Sequence, residues 1–166
     1  AIADHQGSVY LRFGRPKVAN FITDDIPFEI GKGIVLNPGN DVTIVATGHL
    51  VWEALQAAEA LEAEGISAEV VNIHTIKPLD TELLVSSVQK TCCIVSAEEH
   101  YYLGGLVESI AAALALELHT PQEFIATKDT FGESGTPAQL MEKYGLNKNA
   151  IISACKKVMN LSLIHI

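Results

Sequence analysis

Residues 41–65 read DVTIVATGHLVWEALQAAEALEAEG and contain the pattern of a strand followed by a helix. The compact apolar run Val42–Ala46 is typical of a strand that is covered on both faces. A helix is predicted over 50–64, because apolar residues recur there at helical spacing, and Gly65 ends it. Its inward-facing residues are predicted to be Val51, Leu55, Ala58 and Leu61. Such a unit is the first half of a βαβ crossover.

The same order of strand and helix recurs along the rest of the chain. Further strands are predicted at 68–73, 93–96 and 123–126, and helices at 80–90, 106–118, 136–145 and 147–160. Three of these helices have start signals, namely Asp80, Asn147 and the capping-box run Thr136-Pro137-Ala138-Gln139. Strands that alternate with helices of this length predict an α/β fold with a mostly parallel sheet covered on both faces.

The two ends of the chain differ from this central part. Residues 8–13 are predicted to form a strand that runs into a Gly14-Arg15-Pro16 turn. Residues 23–41 are polar and punctuated by proline and glycine, and they are predicted to form a linker with one short hairpin-like piece. The last residues, 160–166, contain no Asp, Glu, Lys or Arg, so we leave them out of the expected fold, with an added strand as the alternative.

Length and composition fit one globular domain. The 166 residues are 48% hydrophobic and 19% charged, and their formal net charge is −9. The acidic balance argues against nucleic acid or an anionic membrane surface as the main partner. No run of 18 apolar residues exists, so no membrane-spanning helix is predicted. Three cysteines, two of them adjacent, argue against a disulfide framework and favour a reducing, cytoplasmic location.

Ligands of parallel sheets bind beyond the carboxyl ends of the strands, so the loops at those ends hold the candidate functional residues. These loops contain Thr47-Gly48-His49, His74-Thr75, Glu98-Glu99-His100 and residues 128–134. The carboxylates and imidazole at 98–100 could form an acid/base pair or bind a metal, although an interface or a solvated rim is the commoner role. The turn at 47–49 lacks the glycine motifs that bind phosphates, and the histidines are not spaced as a metal-ligand set.

Two further features suggest binding. The run that leads from the third strand into the next helix combines aromatic residues, which supply buried area, with glycines, which allow close backbone approach. It predicts a contact surface made of Glu99, His100, Tyr101, Tyr102, Gly104 and Gly105. In Arg12-Phe13-Gly14-Arg15-Pro16, a guanidinium next to a rigid exit could bind a phosphate or carboxylate, and a surface ion pair with an aspartate is the alternative.

Five runs of the sequence, in their order and at their separations, resemble the C-terminal part of transketolase. The runs are Val9-Tyr10-Leu11-Arg12-Phe13-Gly14-Arg15-Pro16, Asp41-Val42-Thr43-Ile44-Val45-Ala46-Thr47-Gly48, Thr75-Ile76-Lys77-Pro78-Leu79-Asp80, Glu98-Glu99-His100-Tyr101-Tyr102-Leu103-Gly104-Gly105 and Phe131-Gly132-Glu133-Ser134-Gly135. The likeness extends from about Gly7 to Met159, and it is specific because the runs occur together. It implies a three-layer α/β/α domain with a mostly parallel, five-stranded mixed sheet.

The resemblance also implies a domain organisation and one site residue. Residues 1–20 would end a pyrimidine-binding domain, 21–40 would be the interdomain linker, 41–159 the C-terminal domain and 160–166 an unmatched tail. Arg15 falls on the family's arginine that holds the sugar phosphate at the mouth of the active site. Gly14 stands where a small hydroxyl residue often precedes that arginine, so one hydroxyl is lost while the charge is kept.

The reaction that the resemblance implies is reversible transfer of a two-carbon ketol unit between sugar phosphates, as in the pentose phosphate pathway. The complete enzyme would use thiamine diphosphate and a divalent metal, Mg or Ca, and the family's cofactor-binding segments lie upstream of the matched region. No catalytic, cofactor-binding or metal-binding residue is therefore expected here, and this stretch alone is expected to be an inactive packing domain. The partners implied are sugar phosphates, an N-terminal transketolase section in the same chain or in a separate subunit, and a second copy in a homodimer.

Two other readings stay open. The same domain type occurs in deoxyxylulose phosphate synthase and in the β chain of 2-oxoacid dehydrogenases, although the runs at 98–105 and 134–137 look more like transketolase. A non-catalytic α/β domain that binds a partner or a regulatory anion is the third reading.

Overall fold

Five strands form one mixed sheet between two layers of helices in the computed structural model, which describes residues 2–12, 17–24 and 26–164, with side chains as far as residue 161. The strands are β1 (Ile34–Asn37), β2 (Val42–Ala46), β3 (Ala68–Asn72), β4 (Ile94–Tyr101) and β5 (Gln122–Thr127). The helices are α1 (Leu50–Glu62), α2 (Thr81–Thr91), α3 (Leu106–Glu117), α4 (Pro137–Lys143) and α5 (Lys148–Ile164), and a short 3₁₀ turn covers Ile2–Asp4. None of the helices among the described residues is long and apolar enough to cross a membrane.

The strand order is β1-β3-β2-β4-β5, in which β3, β2, β4 and β5 run parallel and β1 is antiparallel to β3. All five residues of β2, at the centre, are buried. Alternate side chains along β2 point to opposite faces, so Ile44 packs with α1 and α5 while Val45 packs with α2 and α3. The predicted three-layer α/β/α fold with a mostly parallel, five-stranded mixed sheet is confirmed.

The first strand is a finding that the sequence did not predict as such. Residues 34–37 were assigned to a linker with a hairpin-like piece, yet they form an edge strand whose register pairs Ile34 with Asn72. The Asn37 side-chain amide also donates to the Ala68 carbonyl (2.8 Å). Four residues between a glycine and a proline give little periodicity, and the partner strand lies more than 30 residues away, so no local signal identifies the pairing.

The helix-start signals are confirmed. Asp80 Oδ1 accepts from the Leu83 backbone N–H (3.2 Å), and Asn147 Oδ1 accepts from the Ala150 N–H (3.0 Å). Thr136 and Gln139 form the reciprocal capping box, with Pro137 at the first position of α4. Asp80 has a second function, because its Oδ2 accepts from the Gly33 N–H (2.9 Å) and so ties the entry of β1 to the start of α2.

Both ends of the chain differ from expectation. Residues 8–12 form no strand, because none of the five strands lies beside them, and Tyr10 is 88% exposed. A strand needs a hydrogen-bonded neighbour for its backbone groups. Phe13 and the Gly14-Arg15-Pro16 turn lie outside the described residues. At the other end α5 continues to Ile164, so residues 160–164 extend the last helix and do not form an added strand.

Candidate functional site

A cleft of about 1150 Å³ opens at the carboxyl ends of β2, β4 and β5. It is lined by residues 17–22, by the start of α1, and by α4 with the turn that follows it. The ring of Phe21 stacks on Trp52 at 6.1 Å between centroids, which holds the 17–22 segment against α1. The cleft therefore lies where parallel sheets usually bind their ligands.

Two of the four candidate loops meet in this region. His49, Glu99 and His100 line the cleft, and the 47–49 turn meets the 98–105 run in a smaller pocket of about 300 Å³ beside it. His74 is not among the residues that line either one, because its ring packs against Phe28 (4.5 Å) and its Nδ1 lies 3.1 Å from Thr75 Oγ1. Within the part of the chain that the structure describes, no group of His, Cys, Asp or Glu side chains is arranged to hold a metal ion.

Glu98 supports the fold, and it does not face the cleft as an acid or base. Its side chain is 1% exposed, and its two carboxylate oxygens accept from the backbone N–H groups of Leu106 and Val107, both at 2.9 Å. These are the first N–H groups of α3, which have no partner within the helix, and a negative charge is stabilised there by the helix dipole. A carboxylate from β4 thus takes the place of a cap, since the residue before α3 is Gly105.

Gly105 is buried because it makes room for that carboxylate. A methyl group built on Gly105 would lie 2.4 Å from Glu98 Oε2 and 2.7 Å from Oε1. Its φ of −111° is open to any residue, so glycine is needed here for space. Gly104 is exposed, has φ +79°, and donates its N–H to Glu108 (2.6 Å).

Glu99 and His100 are exposed and line the cleft. Glu99 Oε2 lies 3.9 Å from His49 Nδ1, which makes an ion pair when the imidazole is protonated. His100 Nδ1 lies 2.8 Å from the carbonyl oxygen of Tyr101. The two carboxylates predicted at the end of β4 therefore have different roles. Glu98 anchors the start of α3, and Glu99 lies beside His49 at the rim of the cleft.

Tyr101 and Tyr102 extend the end of β4 towards the edge of the sheet. Their rings lie 5.0 Å apart, and Tyr102 stacks on Phe124 of β5 at 5.7 Å. Desolvation and then the neighbouring Asp129 carboxylate raise the pKa of Tyr101. Both tyrosines keep part of their surface exposed, so they are available for contact. The interface role predicted for six residues stays a prediction; they are Glu99, His100, Tyr101, Tyr102, Gly104 and Gly105.

Residues 128–135 form a loop whose backbone is hydrogen-bonded to the Tyr144 side chain. The Tyr144 hydroxyl donates to the Phe131 carbonyl (3.2 Å) and accepts from the Glu133 N–H (3.0 Å), and Lys143 pairs with the Glu133 carboxylate (2.5 Å). The same contact with Glu133 raises the pKa of Lys143. The loop is anchored by its backbone while the Phe131 ring is 99% exposed.

Sequence reasoning missed the 17–22 wall of the cleft and Trp52. Residues 17–20 were assigned to the end of a preceding domain and residues 21–22 to the linker, so no part of the segment was expected to line a site. Trp52 lies outside the buried apolar stripe of α1, and this position was the only signal in the sequence that it could have another role. Arg15, the residue expected to bind a sugar phosphate, lies outside the described residues, as does Gly14, so its role stays a prediction.

Comparison with known proteins identifies the domain. The family model described as transketolase, C-terminal domain, matches residues 31–151, a range that begins within the predicted linker and includes β1. The 6-deoxy-6-sulfo-D-fructose transketolase subunit SqwH of Clostridium sp. (strain MSTE9) is 41% identical over 157 residues, which are 95% of this chain and 49% of that protein. A putative transketolase C-terminal section of Methanocaldococcus jannaschii is 39% identical over 161 residues, again 95% of this chain and 49% of that protein.

Solved structures agree with this. A structure titled as a split-gene transketolase, inactive beta4 tetramer, is 46% identical with a TM-score of 0.84, and the match covers 87% of this chain and 48% of that one. A transketolase variant from Pichia stipitis shares the fold at 21% identity, with a TM-score of 0.59 over 79% of this chain and 18% of that one. This chain spans about half the length of the first curated relatives that it matches. It belongs to the transketolase family and carries the family's C-terminal domain.

Proposed function

We propose that this chain is the C-terminal portion of a thiamine-diphosphate-dependent transketolase, which moves a two-carbon ketol unit between sugar phosphates. The observation that carries the proposal is the family match over 31–151 together with relatives, near 40% identical, that are named as a transketolase subunit and a transketolase C-terminal section. In this proposal the domain packs against the rest of the enzyme, and Arg15 supplies a contact to the sugar phosphate.

The cofactor is assigned to the upstream section of the enzyme. Thiamine diphosphate supplies carbanion stabilisation when it is bound in such enzymes. The described residues do not fit its metal, because they contain no group of His, Cys, Asp or Glu side chains that could hold a metal ion. The described part of this chain is therefore assigned packing and assembly, and no step of the reaction.

Two kinds of partner follow from the names of the relatives. Proteins named as a subunit, a C-terminal section and a split-gene product suggest that an N-terminal section completes the enzyme, in the same chain or in a separate one. The beta4 tetramer suggests that this chain also associates with copies of itself. We also propose that the enzyme works in the cytoplasm, in the pentose phosphate pathway. The residues that we propose to lie near a contact between subunits are Glu99, His100, Tyr101, Tyr102, Gly104 and Gly105.

A second activity is supported by relatives that are named as 1-deoxy-D-xylulose-5-phosphate synthase. 1-Deoxy-D-xylulose-5-phosphate synthase of Heliobacterium modesticaldum is 35% identical over 158 residues, 93% of this chain and 24% of that protein. The name of the Clostridium relative adds a third candidate activity, in which the donor of the ketol unit is a sulfosugar. The C-terminal domain itself does not separate these activities, because the one substrate contact that we propose for this chain, Arg15, lies in the segment that precedes the domain.

A substrate panel separates the three activities. The protein at its natural length, combined with its N-terminal section and loaded with thiamine diphosphate and Mg²⁺, is incubated with ribose 5-phosphate or glyceraldehyde 3-phosphate as acceptor. The donors are xylulose 5-phosphate, 6-deoxy-6-sulfofructose and pyruvate. We expect ketol transfer from xylulose 5-phosphate; turnover of pyruvate alone would indicate the synthase, and turnover of the sulfosugar alone would indicate the sulfosugar enzyme.

A further inference from the structure

The cleft at the carboxyl ends of the strands has no role in the proposed reaction, yet it has the form of a ligand site. It opens where the chain diverges, because β2 is followed by β3 on one side of the sheet centre and the neighbouring β4 is followed by β5 on the other. Open α/β sheets bind their ligands at such a point. A concave cleft with a largely apolar lining and a few polar groups is also typical of a small-molecule site.

An indole ring supplies the aromatic part of this lining. The side chain of Trp52 stays 39% exposed, although its ring is stacked on Phe21. Leu140 and Met141 of α4 line the same cleft. An open aromatic ring beside other apolar side chains is suited to stacking on a flat ring of a ligand.

A carboxylate and an imidazole lie close to the indole. His49 has helical backbone angles, so Trp52, three residues further along α1, is its neighbour on the helix. Glu99 Oε2 lies 3.9 Å from His49 Nδ1, which is too far for a hydrogen bond, and Glu99 accepts none from the described residues. His100 Nδ1 carries a proton, because the Tyr101 carbonyl oxygen at 2.8 Å can only accept. In the neutral ring, His100 Nε2 is therefore an acceptor.

The charge of the lining favours a cation. The lining contains two carboxylates, Glu53 and Glu99, and one ammonium group, Lys17, so it is net negative when the histidines are neutral. Glu53 already accepts from the backbone N–H of Lys148 (2.8 Å). Glu99 is therefore the carboxylate of this lining that is left for a ligand.

We propose that the cleft binds a small aromatic amine. The aromatic ring stacks on Trp52, and the ammonium group donates hydrogen bonds to the Glu99 carboxylate and to His100 Nε2. Such charge-assisted hydrogen bonds are about twice as strong as those between neutral groups. The same carboxylate repels an aromatic acid. The proposal depends on the cleft alone, whichever donor of the ketol unit the enzyme uses.

Two indoles of opposite charge test this proposal by titration calorimetry. The protein at its natural length, with thiamine diphosphate and Mg²⁺ in excess to fill any cofactor site, is titrated with tryptamine or with indole-3-propionate. We expect saturable binding of tryptamine and a dissociation constant for indole-3-propionate that is at least about 10-fold higher. Equal or tighter binding of the acid would overturn the preference for a cation. No saturable binding of tryptamine up to about 10 mM would overturn the site.

Two matched variants test where the amine binds. Glu99→Gln and Glu62→Gln each remove one exposed carboxylate, the second at the far end of α1. Glu99→Gln should raise the dissociation constant of tryptamine by about 10-fold, because it removes a hydrogen bond to a charged group, and Glu62→Gln should leave it unchanged. Equal effects would overturn the site, because binding would then respond only to the overall charge of the protein.

Trp52→Leu tests the stacking separately. It should raise the dissociation constant of tryptamine by at least about 3-fold, because an aromatic pair is lost. Unchanged affinity in a Trp52→Leu protein that circular dichroism shows to be folded would overturn the role of the indole. If this variant does not fold, the comparison of Glu99→Gln with Glu62→Gln decides.

Discussion

Replacing Gly105 by alanine tests how the structure builds the start of α3. The added methyl group would lie 2.4 Å from Glu98 Oε2, 2.7 Å from Oε1 and 2.8 Å from Cδ, so the carboxyl group must move. An exposed glutamate would move at little cost. Glu98 is 1% exposed and is held by two N–H groups at 2.9 Å, so movement of its carboxyl group breaks both hydrogen bonds.

The expected loss can be worked from those two contacts. A hydrogen bond to a charged group contributes about 1.5–3 kcal/mol, so loss of both gives about 3–6 kcal/mol, which overlaps the cost of about 3–5 kcal/mol for an uncompensated buried charge. With a urea m value of about 2 kcal/mol per molar, the unfolding midpoint should fall by about 2 M. Chemical denaturation followed by circular dichroism measures this directly.

Two comparisons make the reasoning refutable. Gly132→Ala is the matched control, because a methyl group there meets no atom within 4 Å, and the free energy of unfolding should stay within about 0.5 kcal/mol of wild type. In a Glu98→Ala background the Gly105→Ala change should cost less than about 1 kcal/mol, since the clashing carboxylate is gone. An equal cost in both backgrounds would show that Glu98 is not the reason for the glycine.

Three further outcomes follow from single residues. Asp80→Ala removes acceptors for the N–H groups of Leu83 and Gly33. It should lower the free energy of unfolding, measured by urea titration, by about 2–3 kcal/mol. A loss below about 0.5 kcal/mol would contradict the double role of Asp80. Burial raises the pKa of the Cys155 thiol to about 12, whereas the thiol of the unfolded chain ionises near pH 9, so ionisation favours the unfolded chain above that pH. The free energy of unfolding should therefore fall between pH 9 and 11, by up to about 1.4 kcal/mol per pH unit. A Cys155→Ala protein whose free energy of unfolding falls with the same slope would refute this cause. Arg15→Ala should raise the apparent KM for phosphorylated acceptors and leave thiamine diphosphate affinity unchanged; an equal loss with unphosphorylated acceptors would contradict the phosphate role.

Features with a local chemical cause could be predicted from the sequence. The capping bonds of Asp80, Thr136 and Asn147 reach only three residues along the chain, so these roles appear in the sequence spacing. The buried strands around 42–46 and 68–72 could also be predicted, because a short run of apolar residues is by itself typical of a buried strand.

Features that depend on distant partners could not be predicted in this way. β1 is a strand because β3 lies beside it, and residues 8–12 are not a strand because no such neighbour is present among the described residues. Glu98 looks like a catalytic carboxylate in the sequence, since nothing local reveals that its oxygens meet the N-terminus of α3. The cleft is lined by residues 17–22 together with α1 and α4, which are far apart in the sequence, so the sequence could not predict that these segments line one site.

Transfer of the ketol unit itself is the most direct test of the proposed function. Xylulose 5-phosphate labelled with ¹³C at C1 and C2 is mixed with ribose 5-phosphate and the complete, cofactor-loaded protein, and the products are followed by NMR. We expect sedoheptulose 7-phosphate in which C1 and C2 carry the label and remain coupled to each other, with no product when thiamine diphosphate is omitted. A folded, cofactor-loaded protein that leaves the labelled donor unchanged in the presence of acceptor would contradict the assignment.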